Sequence, residues 1–436
     1  MLDIQQLDKQ HIWHPCSQMK DYEAFQPLVI KRAHGSYIEL SDGRKLIDAI
    51  SSWWCKSLGH SHPKLKEALM RQIDQFEHVI FANTTHQTIA ELSQVLGNLL
   101  SGLNKVFYAG DGSCAVEIAM KMSLHYHLLT GKPRKTKFIT LKNGYHGETS
   151  GALSVSDLGL YRDPYRSMLF DPILIEPLYV IGTDDSAWHD AEEHWQTIEP
   201  ILQKYSEVAT AIIFEPILQG AGGMKVYSQD FLRRLANFAK EHDIHLIADE
   251  IMTGIGRTGK MLACEHAMIK PDFICLSKGL TSGWMPFSAV LTTEAIYHAF
   301  YDDYEKGKSF LHSHTYSGNA LGASLALATL NVIQHEDLCE RANQLQAIMS
   351  GFIQDIANRT GLLKNIRGIG AVVAADLVAN DLPPRAGYRL YQEAVKLGAL
   401  LRPLGNTIYW MPPLNIKNEE LAELKNITLQ AIHHIL

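Results

Sequence analysis

From about Lys105 onward, short apolar blocks alternate with amphipathic stretches: KVFYAG, then AVEIAMKMSLHYHLL, then KFITL, and later AIIFEP, DFLRRLANFAKEH and HLIADE. A strand buried on both faces reads as a continuous apolar run and a crossover helix as a 3.6-residue pattern. The alternation therefore restricts the chain to βα units around a mostly parallel sheet, an α/β fold. FICLSKGL and FSAVLTT add two more strands, and GNALGASLALATLNVI reads as a long closing helix. With 436 residues the chain exceeds the roughly 250 to 300 that one core serves, so a second domain is expected. LQAIMSGFIQDI, the strand-like AVVAADLV, the Pro-Pro loop DLPPRAG, a further helix and TIYWMPP predict that domain as a smaller α+β unit. The expected division is a large domain over 55–330, a C-terminal small domain over 331–436, and an N-terminal segment over 1–54 that contributes to the small domain and the active site. The stretch from Asp171 to Trp195 is rich in Pro, Asp, Glu and Trp without periodicity and predicts a long surface loop.

The formal charge of −7, from 40 basic against 47 acidic residues, argues against nucleic acid, whose phosphates call for a basic face. Cysteines 16, 55, 114, 264, 275 and 339 are scattered without CxxC spacing, which suits reduced thiols. MLDIQQLDKQHIWHPC carries no basic leader followed by an apolar stretch, and no run approaches the eighteen or so apolar residues of a membrane span. A cytoplasmic address is expected.

The chemistry-bearing residues cluster at the carboxyl ends of predicted strands, where open α/β sheets bind ligands. HLIADE ends in Asp249, a carboxylate suited to keeping a pyridine nitrogen protonated. Lys278 follows the next strand, where burial would lower its pKa and free the amine for imine formation with an aldehyde. In YAGDGSCAVEIAMK a strand and glycine turn lead into a helix opening at Ser113; its free amides and macrodipole suit a phosphate, with Gly112 allowing close approach and the Ser113 hydroxyl donating. Tyr145 and His146, in KNGYHGETSGA, follow the strand KFITL, where an aromatic ring would stack on a pyridine. Each has an ordinary reading alone: a strand-end acid, a surface lysine, an N-cap serine, loop packing. Their joint occurrence gives them weight.

DEIMTGIGRTG followed by LSKGL resembles the signature of the class III, fold-type I pyridoxal-phosphate aminotransferases, and the likeness runs through SDGRKLIDAISSWWCKSLGHSHP, GDGSCAVEIAMK, GYHGET and HTYSGNALG. The WHP start, SSWWC, GRTGKMLACEHA and LRPLGNTIYWMPP are similar to the biotin-forming branch of that family. The resemblance implies pyridoxal 5′-phosphate as cofactor, S-adenosylmethionine as amino donor and 7-keto-8-aminopelargonate as acceptor. It implies Lys278 as the imine-forming lysine, Asp249 as the partner of the pyridine nitrogen, Gly112 and Ser113 as the phosphate cup, and Tyr145 beside the ring and substrate. Thr315 resembles a phosphate ligand donated across a homodimer with shared active sites. Trp53 resembles a substrate-lining tryptophan and Arg402 the arginine that takes the substrate carboxylate, with Tyr409 beside them in a weaker substrate role. A nine-carbon keto acid suits indole walls and a guanidinium fork.

Two positions depart from the pattern. Cys16 stands where a tyrosine follows WHP, removing a hydroxyl near the substrate for which Ser17 is the expected substitute. Ser313 and His314 stand where Gly-Pro precedes the threonine, in a segment implied to touch substrate (Ser313) and cofactor phosphate (His314).

Another class III transaminase acting on ω-amino acids or diamines would share every cofactor residue. GIGRTG at 254–259 fits the dinucleotide pattern GxGxxG, but the glycines do not lead directly from a strand into a helix, and Asp272 follows too soon for the ribose acid of an NAD-dependent oxidoreductase. His60 with His62, His312 with His314, and Cys264, His266 and Cys275 lack a recognised zinc spacing, and no metal is expected. A non-catalytic cofactor-binding module would have no use for the substrate arginine.

Overall fold

A computed structural model describes residues 3–378 and 382–435. Its centre is a seven-stranded sheet of β1 (Lys105–Ala109), β2 (Lys137–Leu141), β3 (Ile173–Ile175), β4 (Ala209–Phe214), β5 (His245–Asp249), β6 (Phe273–Leu276) and β7 (Ser288–Thr292), in the order β1-β7-β6-β5-β4-β2-β3. The pairs β2/β3, β2/β4, β4/β5 and β5/β6 are parallel. β7 alone reverses, antiparallel to both β6 and β1. A parallel return needs a crossover of a dozen or more residues, usually helical. Between β6 and β7 the chain makes only a short 3-10 turn, Lys278–Thr281, so it comes straight back. That return places Lys278 at the carboxyl edge of the sheet.

Alternate residues of each strand serve opposite cores. On β4, Ala211 and Ile213 join the cluster containing Val116, Ile118 and Ala119 of α1 (Gly112–Leu129), whereas Ile212 and Phe214 join the cluster containing Phe231 and Leu235 of α2 (Gln229–Glu241). Helices thus cover both faces, which is why these strands lack polar alternation. The long helix expected at GNALGASLALATLNVI is α3, Ala320–His335.

Strands Leu363–Ile369, Val372–Leu377 and Thr407–Trp410 form an antiparallel sheet, with α4 (Leu338–Thr360) preceding it. Ile30–His34, Tyr37–Leu40 and Lys45–Asp48 form an antiparallel meander whose last strand pairs in parallel with Ala399–Leu400. Residues near the N-terminus therefore share a sheet with residues near the C-terminus.

The loop expected from Asp171 to Trp195 is corrected. It contains β3, a two-residue strand Tyr179–Val180 paired with Lys225–Tyr227, a helical turn Ser186–His189, and the start of the helix Glu192–Tyr205. Strands of two or three residues are too short to show periodicity. The Pro-Pro loop at 381–387 begins at Asp381, outside the described residues, and runs into the helix Ala386–Leu397. Among the described residues no helix is long and apolar enough to cross a membrane.

Candidate active site

Asp249 ends β5 opposite Cys275 of β6, so Lys278 lies three residues further along the neighbouring strand's direction. Both line a cavity of about 550 Å³ together with Trp54, Gly112, Ser113, Tyr145, His146, Glu215 and Trp284, a volume suited to a small-molecule ligand. Asp249 is buried; its Oδ1 accepts from the Ile251 amide at 3.1 Å and its Oδ2 lies 2.8 Å from His146 Nδ1. The second nitrogen of His146, Nε2, is buried with no hydrogen-bond partner among the described residues. With Nδ1–H donated to the carboxylate, Asp249 keeps both oxygens supported and its position fixed.

Lys278 keeps some accessible surface because it faces the cavity, but the walls desolvate its amine. Burial lowers its pKa, against the opposing pull of Asp249 and Glu215. No carboxylate lies within ion-pair distance of its amine among the described residues, and Nζ sits 5.1 Å from the centre of the Trp54 ring. Its φ of 41° places a non-glycine residue in the left-handed region, local strain of a kind that concentrates at functional sites.

The same cavity is lined by the N-terminus of α1, which opens at Gly112, one residue before the expected Ser113. The Asp111 cap accepts from the Cys114 amide at 3.0 Å, leaving the Gly112 and Ser113 amides free of intrahelical partners. A Cβ on Gly147 would fall 2.2 Å from Ser113 Oγ, so only glycine lets the loop after β2 press against this turn. The three groups together suit a ligand bearing a ring nitrogen, an aldehyde and a phosphate.

Glu215, immediately after β4, was not anticipated. Its Oε2 accepts from the Tyr145 amide and its Oε1 from the Gly220 amide, both at 2.9 Å, and burial pushes its carboxyl up to about 7. It thereby fixes the backbone of the Tyr145 loop. The Tyr145 hydroxyl itself donates to Glu148 at 2.8 Å. The sequence signal for Glu215 was an acid ending the apolar run AIIFEP, the same signal that singled out Asp249.

The backbone leading to Trp54 is unusual. Ser51, Ser52, Trp53 and Trp54 all have positive φ, from 45° to 71°, and hydrogen bonds from Trp54 N to Ile50 O (2.8 Å) and Cys55 N to Ser51 O (2.9 Å) close one turn of left-handed helix. Such a conformation costs about 1–2 kcal/mol per residue. Asp48 helps to hold it, accepting from Ser52 N at 2.8 Å and Ser52 Oγ at 2.6 Å, with His60 Nε2 2.8 Å away. The turn sends adjacent tryptophans in different directions. Trp54 lines the cavity beside Lys278, whereas Trp53 is 39% exposed and stacks under the Arg402 guanidinium, 4.2 Å from its ring centre. Tyr409 is 2% exposed, and its hydroxyl accepts from Trp54 Nε1 at 2.9 Å, so it stands behind Trp54.

Ser17 does not replace the hydroxyl missing at Cys16, because its Oγ turns to Pro15 O at 2.9 Å. The hydroxyl beside Cys16 is that of Tyr161, and the Cys16 carbonyl accepts from Arg402 at 3.2 Å. Ser313, His314 and Thr315 do not line this chain's own cavity. Thr315 is exposed, its carbonyl 2.8 Å from His78 Nε2, and His314 packs against His312, which contacts Lys121 Nζ at 2.8 Å.

GIGRTG runs through turns after Asp249 and opens no helix. The HxH and Cys/His sets assemble no group of three potential ligands among the described residues; His60 instead meets Asp48.

Residues 18–436 match the family model described as aminotransferase class-III. The chain is 42% identical over 422 residues to the adenosylmethionine-8-amino-7-oxononanoate aminotransferase of Helicobacter pylori, covering 96% of this chain and 94% of that protein. It is similar to the crystal structure of the enzyme of the same name from Methanocaldococcus jannaschii, with TM-score 0.91, 34% identity and 99% of both chains covered. It is also similar to a PLP-bound amine transaminase from an uncultivated Pseudomonas species, with TM-score 0.90 and 31% identity over 98% of this chain and 99% of that one. With the sheet, the strand-end pair and the family signature in one chain, this protein belongs to the class III aminotransferases.

Proposed function

We propose that the protein transfers the amino group of S-adenosylmethionine to 7-keto-8-aminopelargonate, giving 7,8-diaminopelargonate, with pyridoxal 5′-phosphate as cofactor. The observation that carries this reading is the convergence of Asp249 and Lys278 on one cavity, in a chain similar along almost its full length to enzymes named for this reaction. The residues fit the cofactor: a buried carboxylate braced by a histidine faces the space for the ring nitrogen, a desolvated amine faces the space for the aldehyde, and a helix N-terminus receives the phosphate.

Pyridoxal phosphate, when bound, supplies a protonated ring that accepts the electrons of the bond broken at the donor carbon. Asp249, held by His146 and the Ile251 amide, would hold the ring nitrogen through its carboxylate. Lys278 Nζ, with its pKa lowered by burial, takes the proton from the donor α-carbon and, in the second half-reaction, returns one to the acceptor carbon. Tyr145, on a loop fixed by Glu215, would flank the ring. Trp54 walls the reaction space, while Arg402, spread over Trp53, offers a fork to the substrate carboxylate. Ping-pong kinetics follow from this order.

We further propose a homodimer in which Thr315, with Ser313 and His314, serves the partner's site. Its support is the exposure of this loop, away from its own cavity, beside exposed Tyr316, Val79 and Ile80. Six free thiols support a cytoplasmic location. We keep 1–54, 55–330 and 331–436 as the working division, with the strand pairing of Lys45–Asp48 and Ala399–Leu400 supporting a shared role for the N-terminal segment.

The test is product formation: S-adenosylmethionine and the keto acid should give the diamine by mass spectrometry. The second reading, an amine or ω-amino acid transaminase, is favoured by the likeness to solved enzymes of that kind. Strong turnover with simple diamines and none with S-adenosylmethionine would establish it instead.

A further inference from the structure

Two buried side-chain atoms near the end of β2 have no hydrogen-bond partner among the described residues: His146 Nε2 and Thr140 Oγ1. A buried polar group left unpaired is costly, so each calls for an explanation. Thr140 is fully buried on β2, two residues from Phe138, which joins the cluster on the α1 face of the sheet. It is in register with Ile213 of β4, and Ile213 with Ile247 of β5. Thr140 therefore points to the same side as Asp249, which follows Ile247 by two residues on its strand. Two strand spacings and two residues separate them, about 10 Å across the sheet and about 7 Å along it, too far for direct contact. His146 lies in that interval.

The loop after β2 fixes the imidazole there. The Gly144 amide donates to Leu141 O at 3.1 Å, the Asp157 amide to Gly144 O at 2.8 Å, and the His146 amide to Ser156 Oγ at 2.9 Å. A Cβ on Gly144 would lie 2.9 Å from Leu141 O, 3.4 Å from His146 Nε2 and 3.7 Å from Thr140 Oγ1. Those three atoms face one point, which glycine leaves free of side chain. Their chemistry is complementary. With the ring proton on Nδ1 and given to Asp249, Nε2 carries a lone pair and needs a donor. Leu141 O only accepts, so the threonine O–H is the donor among the three.

We propose that Thr140 is a positioning residue for the reaction: its hydroxyl donates to His146 Nε2, directly or through one bridging water, and so fixes the tautomer that turns Nδ1–H to Asp249. The ring nitrogen that a partner contacts decides which one carries the proton, so a hydroxyl remote from the cavity sets the brace of the strand-end carboxylate. The part this plays in the reaction rests on the function proposed above; the tautomer does not.

The test compares Thr140→Val, which keeps the shape and removes the hydroxyl, with Thr140→Ser, which keeps the hydroxyl. Nitrogen NMR on holoenzyme carrying isotope-labelled histidine reads both ring nitrogens, the His146 signals being identified by their loss in His146→Asn. Wild type and Thr140→Ser should show Nδ1 protonated and Nε2 bare, and the Nε2 signal should move in Thr140→Val. Cofactor affinity should fall roughly two- to tenfold in Thr140→Val, the loss of one neutral hydrogen bond, and return in Thr140→Ser. A protonated Nε2 in wild type, or wild-type His146 signals in Thr140→Val, would overturn the proposal. If Thr140→Val fails to fold, Thr140→Ala takes its place in the comparison. The spectra need no turnover, so a wild type inactive on the proposed substrates would refute the functional reading while the tautomer is still measured.

Discussion

His146 Nδ1 lies 2.8 Å from Asp249 Oδ2, with both side chains buried at the carboxyl edge of the central sheet. The contact joins the loop after β2 to the end of β5 and makes the orientation of one strand-end carboxylate depend on one imidazole. His146→Phe removes that donor while filling the space. A hydrogen bond to a charged group contributes about 1.5–3 kcal/mol, so cofactor affinity should fall roughly ten- to hundredfold. His146→Asn, which keeps an N–H, should lose less. Equilibrium titration with the cofactor measures both, and wild-type affinity in the Phe variant would contradict the assignment.

Lys278→Ala should abolish turnover, since no other lysine lines the cavity among the described residues. Borohydride reduction of wild-type holoenzyme, followed by peptide mapping, should find the cofactor mass on the peptide containing Lys278. Label on a different lysine, or normal steady-state turnover by the Ala variant, would remove Lys278 from the mechanism.

Tyr409→Phe leaves the buried Trp54 Nε1–H without its acceptor. An unsatisfied buried donor costs about 1–3 kcal/mol. The variant should melt at lower temperature, and KM for the keto acid should rise through the displaced indole. A KM rise with no change in melting would mean that the hydroxyl meets substrate directly.

Burial raises the Glu215 carboxyl from an ordinary carboxylate value to about 7. A pKa raised on folding contributes stability that is fully present below the unfolded value and is lost as pH rises through the folded one. Glu215→Gln cannot ionise and escapes that loss. The melting temperature of Glu215→Gln relative to wild type should therefore increase between pH 5 and pH 8; a difference independent of pH would contradict the shift.

The convergence of Asp249, Lys278 and the α1 turn on one cavity was legible because polar residues at the carboxyl ends of parallel strands share one edge of the sheet. Asp249 and Lys278 announce themselves as polar residues terminating apolar runs, and the α1 turn by its glycines. The reversal of β7 was not legible, since hydropathy is the same for either strand direction and only the short connection decides. Nor was the division of labour between Trp53 and Trp54. A left-handed turn made of Ser and Trp has no propensity signal, because its supports lie outside it: Asp48 accepts from Ser52 and the Met411 carbonyl from Ser51. The placing of Tyr409 behind Trp54 was hidden for the same reason: its partner's direction could not be known. The segment 171–195 hid strands too short to carry a period.

The most direct test of the account is the absorbance spectrum of cofactor-replete protein titrated with S-adenosylmethionine. The account predicts that the band of the lysine-bound aldehyde form declines as the pyridoxamine form appears, and that adding 7-keto-8-aminopelargonate restores it. A band that ignores S-adenosylmethionine but is discharged by another amine would contradict the proposed donor, and no such band at all in cofactor-replete protein would contradict the chemistry.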